Sequence, residues 1–162
     1  MIKITKETSV SLDYVLHLYQ AVGWTNYTNQ PQMLSQALSH SLATYLARDG
    51  EEVVGLVRLI GDGFSSVFVQ DLIVLPTYQR QGIGSTLMKQ ALSDYKDTYQ
   101  IQLATEQTEK TLEFYRSLGF ETLSSFQCTG MIWVGLTGIS PIHFPLLWNC
   151  CAFPLILRVP VT

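Results

Sequence analysis

The sequence predicts an α+β fold, with a mixed and mostly antiparallel central sheet flanked by about four helices. In the first half of the chain, short apolar runs are joined by tight-turn signals, which indicates a strand meander. After Gly82 the apolar period becomes helical, and one short strand lies between two helices. The predicted order is β-α-α-β-β-β-α-β-α-β-β, with a single parallel crossover.

The first elements are a strand and two helices. Ile2 to Thr5 predicts the strand, and an apolar stripe at helical spacing predicts a helix over Ser11 to Val22. The segment Gly23 to Asn29 is rich in turn formers and predicts a loop. Pro31 suits the first turn of the second helix, which runs to Ser39.

Three strands then form the predicted meander. Asp49-Gly50 and Gly61-Asp62-Gly63 are the two turn signals between them. The strands are Leu42 to Ala47, Val53 to Ile60, and Ser66 to Leu75.

The second half of the chain predicts the remaining elements. Gly119 occupies the usual position after the C-terminus of a helix. The helices are Gly82 to Tyr95 and Glu109 to Leu118, and the strands are Ile101 to Ala104, Phe120 to Leu123 and Met131 to Val134.

Residues 1–136 are interpreted as one domain and residues 137–162 as an apolar, Pro-rich tail. Beyond Glu121 there is no acidic residue and no Lys, and Arg158 is the only formal charge. Four prolines interrupt the tail, which predicts no membrane-spanning helix. Three interpretations stay open: a packed segment or homodimer contact, a disordered appendage, or foreign sequence from a shifted reading frame.

Composition excludes several classes of function. Of the 162 residues 47% are hydrophobic and 14% are charged, which is typical of a globular protein. The net charge of -3, without clustered Lys and Arg, argues against nucleic acid as a partner. The three cysteines have no metal-ligand spacing, so we expect reduced thiols and no metal site. The N-terminus has no signal-like apolar run, so we expect a cytoplasmic protein.

The most informative stretch is the turn between the Ser66 strand and the following helix. It reads Gln79-Arg80-Gln81-Gly82-Ile83-Gly84-Ser85. Glycines at the start of a helix let a ligand approach free backbone N–H groups, so the turn predicts an anion site. A Walker loop is excluded because the turn has no Gly-Lys pair, and a dinucleotide fingerprint is excluded because its third glycine is replaced by Leu87.

The turn, together with a second motif, resembles the GNAT superfamily of N-acetyltransferases. Gln79-Arg80-Gln81-Gly82-Ile83-Gly84 matches the family signature Gln/Arg-x-x-Gly-x-Gly/Ala, and Asp71 to Pro76 also looks like that family. Phe114 to Phe120 is similar to its "FYxxLGF" helix end. The likeness extends from about Ile2 to Val134.

The resemblance implies acetyl-CoA as co-substrate and a sheet whose fourth and fifth strands splay apart. The pyrophosphate would rest on the backbone N–H groups of Gln81 to Ser85, namely those of Gln81, Gly82, Ile83, Gly84 and Ser85. The pantetheine arm would run beside Leu72, Ile73 and Val74, as an added strand does. Thr108 stands where the family often places an Asn, so one cofactor contact differs.

Three residues are candidates for the chemistry. A backbone N–H around Ile73 would stabilise the oxyanion, and the Tyr115 hydroxyl would protonate the departing thiolate. Asp71 is a candidate general base, or a group that orients the amine. The structural alternatives are a core tyrosine at position 115 and, for Asp71, a carboxylate paired with Arg58 or Arg80.

Three functions remain open at this stage. The first is direct transfer of an acetyl group to the amine of a small molecule. The second is transfer to a protein N-terminus or lysine, which requires the loop Gly23 to Gln30 to stand clear of the fourth strand. The third is a non-catalytic acetyl-CoA-sensing module.

Overall fold

The computed structural model describes residues 1–132. Its strands are β1 (Ile2–Glu7), β2 (Ala43–Asp49), β3 (Glu52–Gly61), β4 (Ser66–Val74) and β5 (Gln100–Leu103). Its helices are α1 (Leu12–Ala21), α2 (Thr25–Thr28), α3 (Pro31–Ser39), α4 (Ile83–Asp94) and α5 (Glu109–Arg116). The chain divides into two compact units, residues 1–102 and residues from 103 onward.

The five strands form one sheet in the order β1-β2-β3-β4-β5. The pairs β1–β2, β2–β3 and β3–β4 are antiparallel, which confirms the mostly antiparallel sheet of an α+β fold. The β2–β3 hairpin turns at Gly50, whose φ of 58° is the left-handed conformation expected of glycine there.

Apolar side chains on both sides of the central strands form the core of the first unit. Val15 and Leu18 of α1 are fully buried, as are Leu87 and Met88 of α4 and Leu34 of α3. The helical spacing predicted for the segments of α1 and α4 is therefore the spacing of their core-facing stripes.

A bulge interrupts the pairing of β4 with β3. Arg58 is opposite Asp71 and Leu59 is opposite Val69, so Gln70 is an extra residue on β4. In a regular strand successive side chains alternate between faces, and a bulge disturbs that alternation.

β5 pairs with only the first part of β4. The Tyr99 N–H donates to the Phe64 carbonyl at 2.9 Å, which starts β5 beside the beginning of β4. Tyr99 directly precedes β5, and Phe64 lies just before β4. From this bond, β5 can lie beside β4 only if the two strands run in the same direction, as the predicted crossover requires. β5 has 4 residues and β4 has 9, so the second half of β4 extends beyond the residues that β5 can pair.

Two predicted features near the helices need correction. The loop predicted over Gly23 to Asn29 contains the short helix α2, so the described residues hold five helices. The strand predicted at Phe120 to Leu123 is wrong: a 3-10 turn, Leu123–Phe126, begins there. Thr122 favours the turn because its hydroxyl bonds with the hydroxyls of Ser124 and Ser125 at 2.9 and 3.1 Å.

Two predictions fall on or beyond the last described residue. Of the strand predicted over Met131 to Val134, only the first two residues are described, and neither is in a strand. The tail at 137–162 lies outside the described residues. The domain boundary at 136 and the homodimer contact therefore stay predictions.

Candidate acyl-donor site

The turn between β4 and α4 is shaped by side-chain hydrogen bonds to its own backbone. It begins with the 3-10 turn Pro76–Tyr78. The Gln79 Nε2 donates to the Val74 carbonyl at 3.0 Å, and the Gln81 Nε2 donates to the Thr77 carbonyl at 3.1 Å. Both amides thus hold the turn, and their side chains are exposed at its surface.

The backbone of this turn leaves a run of donors unused. Within residues 1–132 no acceptor faces the six successive N–H groups from Arg80 to Ser85. The Thr86 N–H is the first to bond back, to the Gly82 carbonyl at 2.9 Å. Unpaired donors at a helix N-terminus, aligned with the helix dipole, bind anions.

Two residues of the turn adopt the left-handed backbone conformation. Gly82, which caps α4, has a φ of 79°, and Arg80 has a φ of 61°. Glycine takes this conformation freely, whereas a residue with a Cβ does so at a cost of about 1–2 kcal/mol. The residues predicted to hold the pyrophosphate therefore lie together in one turn whose shape depends on Gly82.

Along β4, backbone hydrogen-bonding groups alternate in direction, and this alternation (the hydrogen-bond parity) determines which residues face β3 and which face away from it. The Leu75 N–H donates to the Val54 carbonyl at 2.9 Å, toward β3. In an antiparallel ladder every second residue bonds to the same neighbour, so Ile73, opposite Leu56, also faces β3. Leu72 and Val74 therefore direct their backbone groups away from β3. The oxyanion donor predicted around Ile73 stays a prediction.

Asp71, the candidate base, is completely buried in the first unit. Its Oδ2 accepts from the Tyr19 hydroxyl at 2.9 Å and from the Arg58 Nε, and its Oδ1 accepts from the Tyr27 hydroxyl at 3.0 Å. Arg58 is itself only 4% exposed. Of the two interpretations left open for Asp71, this geometry favours the ion pair with Arg58. A base acting directly on an amine would have to be reached by it, and a fully buried carboxylate is not.

The surroundings of Asp71 keep its donors protonated. Burial, followed by the charge of Asp71, raises the pKa of both Tyr19 and Tyr27. Burial lowers the pKa of Arg58, but attraction to Asp71 outweighs it, so the pKa of Arg58 is raised overall. We call Arg58, Asp71, Tyr19 and Tyr27 the Asp71 network. At neutral pH its two phenols are therefore neutral and its guanidinium is charged.

The aromatic residues of the α1–α3 segment pack on one another. The ring centroids of Tyr19 and Trp24 are 5.9 Å apart, and those of Tyr19 and Tyr27 are 5.2 Å apart. Trp24 and Tyr27 are both buried. Sequence reasoning missed Tyr19 as a partner of Asp71. Its position in the apolar stripe of α1 indicates burial, but no sequence signal names the carboxylate that its hydroxyl meets.

The second unit contains the two remaining candidates. Tyr115 of α5 is buried and packs edge-on against Phe114 and Phe120, with ring centroids 5.0 and 5.9 Å apart. Thr108 caps α5, since its hydroxyl accepts from the Thr111 N–H at 3.3 Å. Their roles in acid catalysis and cofactor contact stay predictions.

The described part of the chain contains neither a candidate metal site nor a candidate membrane-spanning helix. Residues 1–132 contain no group of three or more His, Cys, Asp or Glu that could hold a metal ion. No helix in that range is long and apolar enough to cross a membrane.

Comparison with protein families and solved structures found matches to acetyltransferases. The family model described as "Acetyltransferase (GNAT) domain" matches residues 40–122. A GNAT-family acetyltransferase from Streptococcus pneumoniae TIGR4 is 68% identical, with a TM-score of 0.78 over 84% of this chain and 99% of that one. A GNAT acetyltransferase from Elizabethkingia anophelis, solved with acetyl-CoA bound, shares the fold at 20% identity, with a TM-score of 0.55 over 83% of this chain and 90% of that one.

Curated relatives include acetyltransferases with different acceptors in their names. Serotonin N-acetyltransferase 2 of Oryza sativa subsp. japonica is 26% identical over 70% of this chain and 58% of its own length. Histone acetyltransferase TAP1 of Glycine max is 30% identical over 58% of this chain and 42% of its own length. The chain thus spans about half the length of these relatives.

Proposed function

This chain belongs to the GNAT family of acetyltransferases, and we propose that it transfers the acetyl group of acetyl-CoA directly to the amine of a small molecule. As a family member it is an acyltransferase enzyme. Binding of acetyl-CoA is supported by the run of N–H groups from Arg80 to Ser85 that have no acceptor among residues 1–132. A pyrophosphate supplies the oxygen acceptors that these donors lack.

The residues present fit acetyl-CoA along β4 as well. Leu72 and Val74 direct their backbone groups to the side that β5 does not reach, where a pantetheine arm can bond as an added strand would. The thioester would supply an activated acetyl group, and the Leu72 N–H would stabilise negative charge on its carbonyl oxygen. Tyr115 would return a proton to the thiolate that leaves.

Hydrogen bonds between the α1–α3 segment and β4 favour a small-molecule acceptor over a protein acceptor. A protein acceptor requires the loop Gly23 to Gln30 to stand clear of β4. Instead, the Tyr27 hydroxyl of that loop bonds to Asp71 and Gln70 of β4, at 3.0 and 3.2 Å. A loop fastened to the strand in this way favours a narrow acceptor site over an open groove.

The test is coenzyme A release from acetyl-CoA, measured with arylalkylamines, polyamines, amino acids and lysine-containing peptides. We expect turnover with at least one small amine and slower turnover with peptides. Turnover with peptides alone would overturn the small-molecule acceptor. Calorimetric binding of acetyl-CoA with no turnover on any acceptor would favour a sensing module instead.

Tyr115→Phe tests the proton donor in the same assay. We expect kcat to fall about 100-fold, as for loss of a general acid, with acetyl-CoA affinity unchanged. Tyr99→Phe is the control, because this substitution also removes a tyrosine hydroxyl but does so at an exposed residue. If Tyr115→Phe keeps the parent kcat and pH profile, Tyr115 is a core residue only.

A further inference from the structure

The backbone carbonyl of Val74 has a hydrogen-bond partner in the turn that follows β4. Val74 is the last residue of β4, and its backbone groups point away from β3. The Gln79 side chain reaches back along the chain, and its Nε2 donates to this carbonyl at 3.0 Å. The strand acceptor that a pantetheine arm would use is therefore already bonded to an amide of the protein itself.

We propose that the Gln79 side chain competes with the pantetheine arm for the Val74 carbonyl and so limits the affinity for acetyl-CoA. The inference rests on the proposed function, because it takes the arm to lie along β4. The arm contains secondary amides, whose N–H groups bond to strand carbonyls as those of an added strand do. Since the Gln79 amide must leave before such a bond forms at Val74, the cost of releasing it is subtracted from the binding energy.

The contacts around Gln79 allow its side chain to leave without loss of the turn. The side chain is exposed at the protein surface. The Tyr78 N–H donates to the Leu75 carbonyl at 2.8 Å, and the Gln81 Nε2 donates to the Thr77 carbonyl at 3.1 Å. Both bonds are independent of the Gln79 amide, so the turn keeps them when that amide rotates toward solvent.

Two other roles of Gln79 lead to different results. If its amide mainly supports the shape of the turn, its loss weakens the binding of every ligand that contains a pyrophosphate. A carbonyl oxygen also has two lone pairs, so Val74 could accept from Gln79 and from the arm together. In that case removal of the Gln79 amide leaves the affinity unchanged.

A matched pair of variants and two ligands separate these roles. Gln79→Met keeps the length of the side chain and removes its donor. Gln90→Met is the control, because Gln90 is an exposed glutamine of α4 whose Nε2 donates to the Asp94 Oδ1 at 2.9 Å. Coenzyme A contains both the pyrophosphate and the arm, whereas ADP contains the pyrophosphate alone.

We expect Gln79→Met to lower the calorimetric Kd for coenzyme A about 3- to 10-fold, which corresponds to the net contribution of one hydrogen bond. The Kd for ADP should stay at the parent value, and Gln90→Met should change neither Kd. An unchanged or higher Kd for coenzyme A in Gln79→Met would overturn the competition, as would an equal fall for both ligands. If the parent binds neither ligand, the donor site itself fails, and with it both the proposed function and this inference.

A crystal structure of the parent protein with coenzyme A gives a readout that does not depend on affinity. We expect the Gln79 Nε2 to lie beyond hydrogen-bond distance of the Val74 carbonyl, farther than about 3.2 Å, with an amide N–H of the arm in its place. A complex in which the arm lies along β4 and Gln79 keeps its bond to Val74 would overturn the competition and leave the proposed function intact.

Discussion

The turn from Gln79 to Ser85 and the Asp71 network differ in whether their polar groups have hydrogen-bond partners. The turn contains six N–H groups that meet no acceptor within residues 1–132, and most of its side chains are exposed. In the network every oxygen of a buried carboxylate is bonded to at least one donor. The turn is thus suited to bind a ligand, and the network is suited to hold elements together.

The comparison shows that the most conspicuous side chain need not act on the substrate. Asp71 is an acidic residue directly before the strand segment expected to meet the thioester, which made it a natural candidate base. A buried carboxylate next to a guanidinium is stabilised by that partner and is costly to separate from it. The donors proposed to meet the ligand are backbone groups, which carry no side-chain signature.

Disrupting the network should have the largest effect on stability. Asp71→Asn leaves the Arg58 guanidinium buried without a charged partner, and we expect the free energy of unfolding to fall by about 3–5 kcal/mol. Urea unfolding measures it. Asp94→Asn is the control, because Asp94 pairs at 3.2 Å with Lys6, whose side chain is 41% exposed. Such a pair contributes about 1 kcal/mol or less.

A double variant sharpens this prediction. Arg58→Met combined with Asp71→Leu removes both charges, and we expect it to regain most of the stability lost in Asp71→Asn. A loss below about 1 kcal/mol for Asp71→Asn alone would mean that the carboxylate is well solvated. The role of Asp71 as a base would then have to be reconsidered.

Disrupting the turn should weaken binding strongly and lower the free energy of unfolding only by the backbone cost of about 1–2 kcal/mol. Gly82→Glu puts a Cβ at a φ of 79° and a negative charge where the anion is expected. We expect acetyl-CoA affinity to fall about 100-fold, or about 2.7 kcal/mol, by calorimetry.

The hairpin at Gly50 supplies a matched control for that substitution. Gly50 has a φ of 58°, and as at Gly82 no atom lies within 4 Å of an added Cβ. Gly50→Glu should therefore carry similar backbone strain and keep the parent affinity. Equal affinity in Gly82→Glu and the parent would exclude the turn as the pyrophosphate site.

The smallest expected effect is a loss of stability at alkaline pH, caused by Tyr19 and Tyr27 of the Asp71 network. Since burial raises the pKa of Tyr19 and Tyr27, the folded protein keeps their protons above pH 10, where the unfolded chain loses them. Stability should thus be constant below about pH 10 and then fall by about 1.4 kcal/mol per pH unit for each tyrosine. Tyr19→Phe should make the decline shallower in urea unfolding between pH 8 and 11. An unchanged slope would contradict the burial of its hydroxyl.

Much of the fold could be read from local sequence patterns. Gly50 and Gly61-Asp62-Gly63 mark the two turns of the meander, and the apolar stripe after Gly82 gives α4 within one residue at each end. The strand expected at Phe120 failed because Thr122 and two serines form local hydrogen bonds that compete with a ladder. Helix α2 was missed because its four residues are too few to show a helical period.

The meander of β2, β3 and β4 and the helix after Gly82 could be predicted from the sequence alone, because each depends on periodicity or on the backbone freedom of glycine. The partners of Asp71 and the direction of the Ile73 backbone groups are visible only in the tertiary structure. Burial and the partner of a carboxylate depend on residues 13 to 52 positions away. The direction of a backbone N–H depends on the hydrogen-bond parity of the ladder, which no single strand reveals.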